Sequence, residues 1–118
     1  MKNFRTYQLA KRFYKEVRDL PFEQPARAQF RRALLSVCLN LAEGSGKSSS
    51  RDRARFYAIA LGSLRKVQAL LEFHDYQAQY DTADRLGAMV FRLIQRPGSA
   101  PACPNTVSLN ARKRSSWC

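Results

Sequence analysis

The chain has 118 residues, enough for one compact domain and too few for two. Lysine and arginine number 21 against 9 acids, a formal charge of +12 with a pI near 10.4, so an acidic partner is expected. At 45% hydrophobic and 11% aromatic residues the composition excludes a chain too polar to collapse, no run nears the roughly 18 apolar residues that cross a bilayer, and the basic start Met1–Lys11 lacks the apolar segment of a leader, which together predict a packed, cytoplasmic protein.

In chain order, Phe4, Tyr7, Ala10, Tyr14, Val17 and Leu20 recur at helical steps, with Lys11, Lys15 and Arg18 on another face. Pro21 is expected to end this first helix. A second helix is predicted from Pro25, whose fixed φ suits a first turn, to Ala42, with Gly44 as its stop. Between Ala33 and Ala42 it is almost wholly apolar, its one continuous polar stripe being Gln29, Arg32, Ser36, Asn40 and Glu43. Such a helix must be buried on more than one side, either at the centre of the monomer or with Leu35 and Leu39 against another subunit. Ser49 and Asp52 have capping-box spacing, with Asp in place of Glu or Gln, and open a third helix. Its apolar stripe Phe56, Ala60, Leu64, Val67, Leu71 and His74 makes it the longest element. Ala54, Ala58 and Gly62 form a second line of small residues on it, which lets another helix backbone come close. In a helix interior Gly62 costs about 1 kcal/mol relative to Ala, and close packing is the natural compensation. The fourth helix is predicted from Asp81 or Thr82, with Ala83, Leu86, Val90, Leu93 and Ile94 in the core and Pro97 and Gly98 ending it.

Short connections between helices of similar length predict an all-α, antiparallel, up-down four-helix bundle over residues 1–96. Residues 97–118 hold three of the five prolines, no acid and the cluster Arg112, Lys113 and Arg114, and read as a basic tail. Its Trp117 is a candidate anchor for a partner. The cysteines at 38, 103 and 118 are odd in number and scattered, and with one histidine they argue against disulfides and a zinc site.

Charge is polarised: residues 1–66 carry +10, residues 67–96 carry −1 and residues 97–118 carry +3. The basic first half is therefore the candidate polyanion-binding half. Gly44-Ser45-Gly46-Lys47-Ser48 has the look of a phosphate loop, but the pattern requires glycine where Leu41 stands and a preceding strand where a helix is predicted. What survives is a glycine loop with Lys47 opening onto a helix N-terminus, either a phosphate dock or a mere chain reversal capped by Ser49. Arg51, Arg53 and Arg55 fan out over different faces, since alternate residues on a helix lie about 200° apart. Arg55, nearest the core side, is expected to bond an acid such as Glu43, and Arg51 to face solvent. Arg27 and Arg31, with Arg32 alongside, and Arg65 and Lys66 add cations suited to phosphate contact with little sequence discrimination. His74 reads as a packed residue, and Phe13, Tyr14, Phe56, Tyr57, Phe73 and Tyr76 as core and interface aromatics rather than base platforms. No nucleophile motif or paired carboxylates are placed by the sequence, so no enzymatic activity, cofactor or metal is expected.

The stretch Ser36-Val37-Cys38-Leu39-Asn40-Leu41-Ala42-Glu43-Gly44-Ser45-Gly46-Lys47, followed by Arg55-Phe56-Tyr57-Ala58-Ile59-Ala60-Leu61-Gly62-Ser63-Leu64, resembles the bacterial 23S ribosomal RNA intervening-sequence protein family. Tyr7-Gln8-Leu9-Ala10 and Arg31-Arg32-Ala33 match its earlier segments, and the resemblance spans residues 4–94. It implies an antiparallel bundle that assembles as a homopentamer without catalytic activity. Some members are encoded within insertions in large ribosomal RNA genes. A related branch, the accessory variability determinants of diversity-generating retroelements, binds nucleic acid and a reverse transcriptase through a basic surface. Lys66 departs from the pattern, since many relatives carry an acid there.

Residues and resemblance together predict an oligomeric RNA- or DNA-binding scaffold or accessory protein, with a reverse transcriptase as a candidate partner. Phosphates are expected on Lys11, Lys15, Arg27, Arg31, Arg32, Lys47, Arg51, Arg53, Arg65 and Lys66, and other subunits on Leu35, Leu39, Ala54, Ala58 and Gly62. The competing expectation is a module that binds an acidic protein, with no nucleic-acid role.

Overall fold

A computed structural model of the chain describes residues 4–95. It shows four α-helices, α1 Arg5–Val17, α2 Ala26–Ser45, α3 Ser50–Phe73 and α4 Gln77–Ile94, and no strand among the described residues. The tail expected over 97–118, with Trp117, lies outside them. No described helix is long and apolar enough to cross a membrane.

Each helix packs on its neighbours in the chain, and α1 closes the circle against α4, giving the antiparallel four-helix bundle that the periodicity predicts. α2 and α3 form the most extensive pair. On α1 the buried positions Thr6, Ala10, Phe13 and Val17 follow three- and four-residue steps, so one stripe faces inward and the basic stripe faces out. Phe30, Leu34 and Leu41 of α2 meet Leu64, Val67 and Leu71 of α3 and Leu86 and Val90 of α4 at the centre. One end of the bundle is plugged by Phe22, whose ring lies 4.3 Å from Phe30, 4.6 Å from His74 and 5.5 Å from Tyr76. His74 is thus a packed residue, and its Nδ1 lies 2.8 Å from the Leu70 carbonyl oxygen.

Three boundaries differ from the sequence expectation. The first helix stops at Val17, ahead of Pro21. α2 does not stop at Gly44 but runs through it to Ser45, because Gly44 is buried where α2 crosses α3. A Cβ at Gly44 would stand 2.7 Å from Tyr57 Cε1 and 3.1 Å from Phe56 Cβ, so the missing side chain is what lets the helices close. α4 begins at Gln77 rather than Asp81 or Thr82. The α3 end explains this: Asp75 takes a left-handed conformation with φ 61°, the Tyr76 N–H bonds Leu71 O at 2.9 Å and the Asp75 N–H bonds Glu72 O at 3.1 Å. That pair of bonds satisfies the last carbonyls in one tight reversal, and α4 starts at once. The Tyr76 hydroxyl then donates to Pro21 O at 2.6 Å, tying the two loops at this end together. At the other end Ser49 caps α3 as expected, its hydroxyl accepting from the Asp52 N–H at 3.0 Å.

Phe73, read among the core and interface aromatics, is 84% exposed at the end of α3, off the stripe that Leu71 and His74 continue. The small-residue line also divides. Ala54 is 1% exposed and packs inside the monomer, Ala58 is half-buried against the core, and an added Cβ at Gly62 meets no atom within 4 Å. The close approach expected at Gly62 is therefore not made within the described chain.

These two glycines are expected to respond oppositely to alanine in urea unfolding. Gly44→Ala must displace the Tyr57 ring and is expected to lose about 1–3 kcal/mol of stability, whereas Gly62→Ala gains about 1 kcal/mol of helix propensity.

Candidate nucleic-acid interface

Lys11, Lys15 and Arg18 follow one another at helical spacing along α1 and its C-cap. Two of them lie on tyrosines of the preceding turn, the Lys11 ammonium 5.2 Å from the Tyr7 ring centre and the Arg18 guanidinium 5.8 Å from that of Tyr14. Across the groove, Arg31 donates from Nε to Arg18 O at 3.1 Å and from Nη2 to Asp19 Oδ1 at 3.2 Å. Arg31 is thereby spent largely on joining α2 to the end of α1. Arg27, one turn away, and Lys15 are exposed, and their side chains make no hydrogen bond or ion pair among the described residues. At the end of the α1/α2 groove Arg18 and Arg31 share Asp19, Lys11 lies near enough to Cys38 of α2 to act on its thiol, and Lys15 and Arg27 are exposed on the same two helices. A guanidinium in an exposed ion pair forfeits little by exchanging its carboxylate for a phosphate.

The loop between α2 and α3 is a second cationic place, with different roles for its residues. Arg53 Nη1 donates to the carbonyl oxygens of Lys47 at 3.1 Å and Ser48 at 3.2 Å, so this side chain holds the loop in shape. Lys47 pairs with Glu43 at 3.2 Å, and its ammonium lies 5.2 Å from the Phe56 ring centre. Arg55 lies 4.7 Å from the same ring and pairs loosely with Asp52 at 4.0 Å, not with Glu43 as expected. Arg51 alone projects into solvent with no partner among the described residues. Ser49 and Asp52 already answer the α3 N-terminus, which supports its role as a capped chain reversal.

The remaining cations are divided by the helix geometry, although they adjoin in sequence. Lys66 shares the α2/α3 outer face with Arg32, in a cleft with Ser36, Ile59, Gly62 and Ser63. Arg65 turns towards α4, into a smaller cleft with Gln68, Glu72 and Tyr80. Burial lowers the Arg65 pKa, and the neighbouring Tyr80 opposes that shift. Leu35 at 46% and Leu39 at 57% exposure leave the doubly apolar α2 uncovered on one side in the monomer, and Ile59 of α3 is 43% exposed. Arg32 and Lys66, expected on phosphate, and Gly62, expected against another subunit, thus line one cleft. Ser63 was not legible as part of it, because its bond to Ser36 joins residues 27 apart and depends on the register of two helices. Cys38 sits under the α1/α2 groove, where burial pushes its thiol up to about 11 against a small opposing effect of Lys11.

The 23S rRNA-intervening sequence protein family model matches residues 4–89, and the chain belongs to that family. No curated protein and no solved structure matches the chain. The family description associates the chain with RNA.

Two measurements follow. Arg53→Gln is expected to cost about 1 kcal/mol in urea unfolding because two loop carbonyls lose a charged donor, whereas Arg51→Gln stays within about 0.5 kcal/mol of the parent. At about pH 8 the Cys38 thiol in the folded chain is expected to react with a thiol reagent far more slowly than in urea, since the thiolate is the reactive form.

Proposed function

We propose that this member of the 23S rRNA-intervening sequence protein family is a non-enzymatic RNA-binding accessory protein that holds a polyphosphate strand in the α1/α2 groove. The observation that carries this reading is the groove itself, where Arg18 and Arg31 meet at Asp19 and Lys11 stands near Cys38 of α2, with Lys15 and Arg27 exposed on the same two helices. The mechanism is electrostatic: each phosphate seated on a cation releases a condensed counterion, so affinity comes from charge and is nearly blind to base sequence. Neither the groove nor the loop offers an open aromatic platform, since the Phe56 ring is already flanked by Lys47 and Arg55. Copies of the chain joined through Leu35 and Leu39, in the pentamer that the family resemblance implies, repeat the groove so that weak contacts act together. Assistance to the reverse transcriptase of a diversity-generating retroelement is the accessory role that this architecture suits.

The second reading, docking of an acidic protein, draws on the exposed Leu35, Leu39 and Ile59 beside Arg32 and Lys66. That mixture of apolar and cationic groups also fits an amphipathic acidic segment.

Titration of a structured RNA at two ionic strengths tests the leading reading. With about four phosphate contacts the affinity falls roughly 50-fold between about 50 and 200 mM salt. Lys11→Glu combined with Lys15→Glu flattens that dependence and weakens binding by about tenfold or more. Affinity indifferent to salt, or unchanged by the double reversal, refutes it. Sedimentation tests the assembly: the parent runs above 13.5 kDa and Leu39→Asp returns it to that mass, while a parent found only at 13.5 kDa contradicts the assembly.

A further inference from the structure

The α2/α3 outer face carries a cleft of about 390 Å³ that the groove on α1 does not explain. Its polar lining is directional. Asn40 Nδ2 donates to the Ser36 carbonyl oxygen at 2.9 Å and to Ser36 Oγ at 3.1 Å. A carbonyl only accepts, so the amide orientation is fixed and Ser36 Oγ is an acceptor from Asn40. Ser36 Oγ lies 2.7 Å from Ser63 Oγ, a pair in which either hydroxyl can be the donor, and when Ser36 donates the Ser63 proton is free for a ligand in the cleft. Arg32 makes no hydrogen bond or ion pair among the described residues. Lys66 gives one proton to Gln29 Oε1 at 3.3 Å and keeps two. A hydroxyl, a guanidinium and an ammonium thus converge on a space with no acid among its lining residues.

The rest of the lining is apolar and bare. Ile59 is partly exposed beside Gly62, over which nothing stands within 4 Å of where a Cβ would be. An isolated anion would use the donors and leave this surface wet. A ligand with a phosphate at one end and a flat apolar body at the other uses both, and the volume lies within the range of small-ligand sites. We infer that the cleft is a subsite for one nucleotide unit of a bound strand: the phosphate sits between Arg32, Lys66 and the Ser63 hydroxyl, and the ribose and base lie over Gly62 against Ile59. This rests on the nucleic-acid reading and adds a second seat for the strand, on the opposite side of α2 from the α1 groove. Ser36 and Asn40 are positioning residues, since they act by holding the Ser63 hydroxyl.

The test uses the full chain, with uridine monophosphate and inorganic phosphate as separate probes in calorimetric or NMR titration. Gly62→Leu fills the cleft with a good helix former and changes no charge. It is expected to weaken the mononucleotide by about tenfold or more and Ser63→Ala by about tenfold, while inorganic phosphate binds the parent more weakly than the nucleotide does. A mononucleotide that does not bind, that binds no better than inorganic phosphate, or that binds Gly62→Leu as well as the parent overturns the assignment. So does a shift in sedimenting mass in Gly62→Leu with nucleotide affinity unchanged, which makes the cleft an interface between copies. A glutamate-rich peptide that binds more tightly than the nucleotide and is lost in Gly62→Leu also overturns it, in favour of an acidic protein. If the parent binds the mononucleotide but no structured RNA, the groove reading fails and the subsite stands.

Discussion

The pairing of α2 with α3 is the constraint from which the rest of this molecule follows. Gly44 lies under the Tyr57 ring, Ser36 bonds Ser63, and Phe30, Leu34 and Leu41 share one buried core with Leu64, Val67 and Leu71. A helix whose register against its partner is fixed at both a tight steric contact and a hydrogen bond cannot rotate to hide different residues. Everything that α2 and α3 show to solvent is therefore determined by what they bury. Leu35, Leu39 and Ile59 remain outside because the inward positions are already filled, and Arg32 and Lys66 stand beside Ile59 for the same reason.

The same register sorts the cations into kinds. Arg53 and Arg31 hold backbone carbonyls and are parts of the scaffold as much as of its charge. Lys47 and Arg55 are spread over Phe56 and paired with acids one turn away. Lys15, Arg27, Arg32 and Arg51 have no such obligations among the described residues. A charge of +12 on the whole chain thus overstates what a polyanion can collect, and the grouping of groove, loop and α2/α3 face matters more than the total.

The helices and their order were legible because each buries a stripe with a period near 3.6, and the Ser49 cap was legible because capping chemistry is local. The misread ends share a cause. Gly44 reads as a terminator, since only the third dimension reveals that Tyr57 needs the space above it. Asp81 and Thr82 read as a helix start, whereas the left-handed Asp75 had already completed the reversal without any glycine to announce it. The candidate site was legible as a list of cations, not as a surface: Arg65 and Lys66 are adjacent in sequence and lie in different clefts. Phe73 is apolar but stands off the stripe that Leu71 and His74 keep, so the described bundle leaves it uncovered.

α1 touches its neighbours far less extensively than α2 and α3 touch each other, and its 13 residues are near the lower limit for a helix that persists without support. Partial opening of the domain should begin by releasing this element and leave the three-helix remainder intact. The groove cations Lys11, Lys15 and Arg18 ride on it, so a strand clamped across α1 and α2 would act as an external splint. Occupancy would then be felt as slowed amide exchange along α1, and the free energy spent on quieting that helix would be subtracted from the gross attraction of the charges.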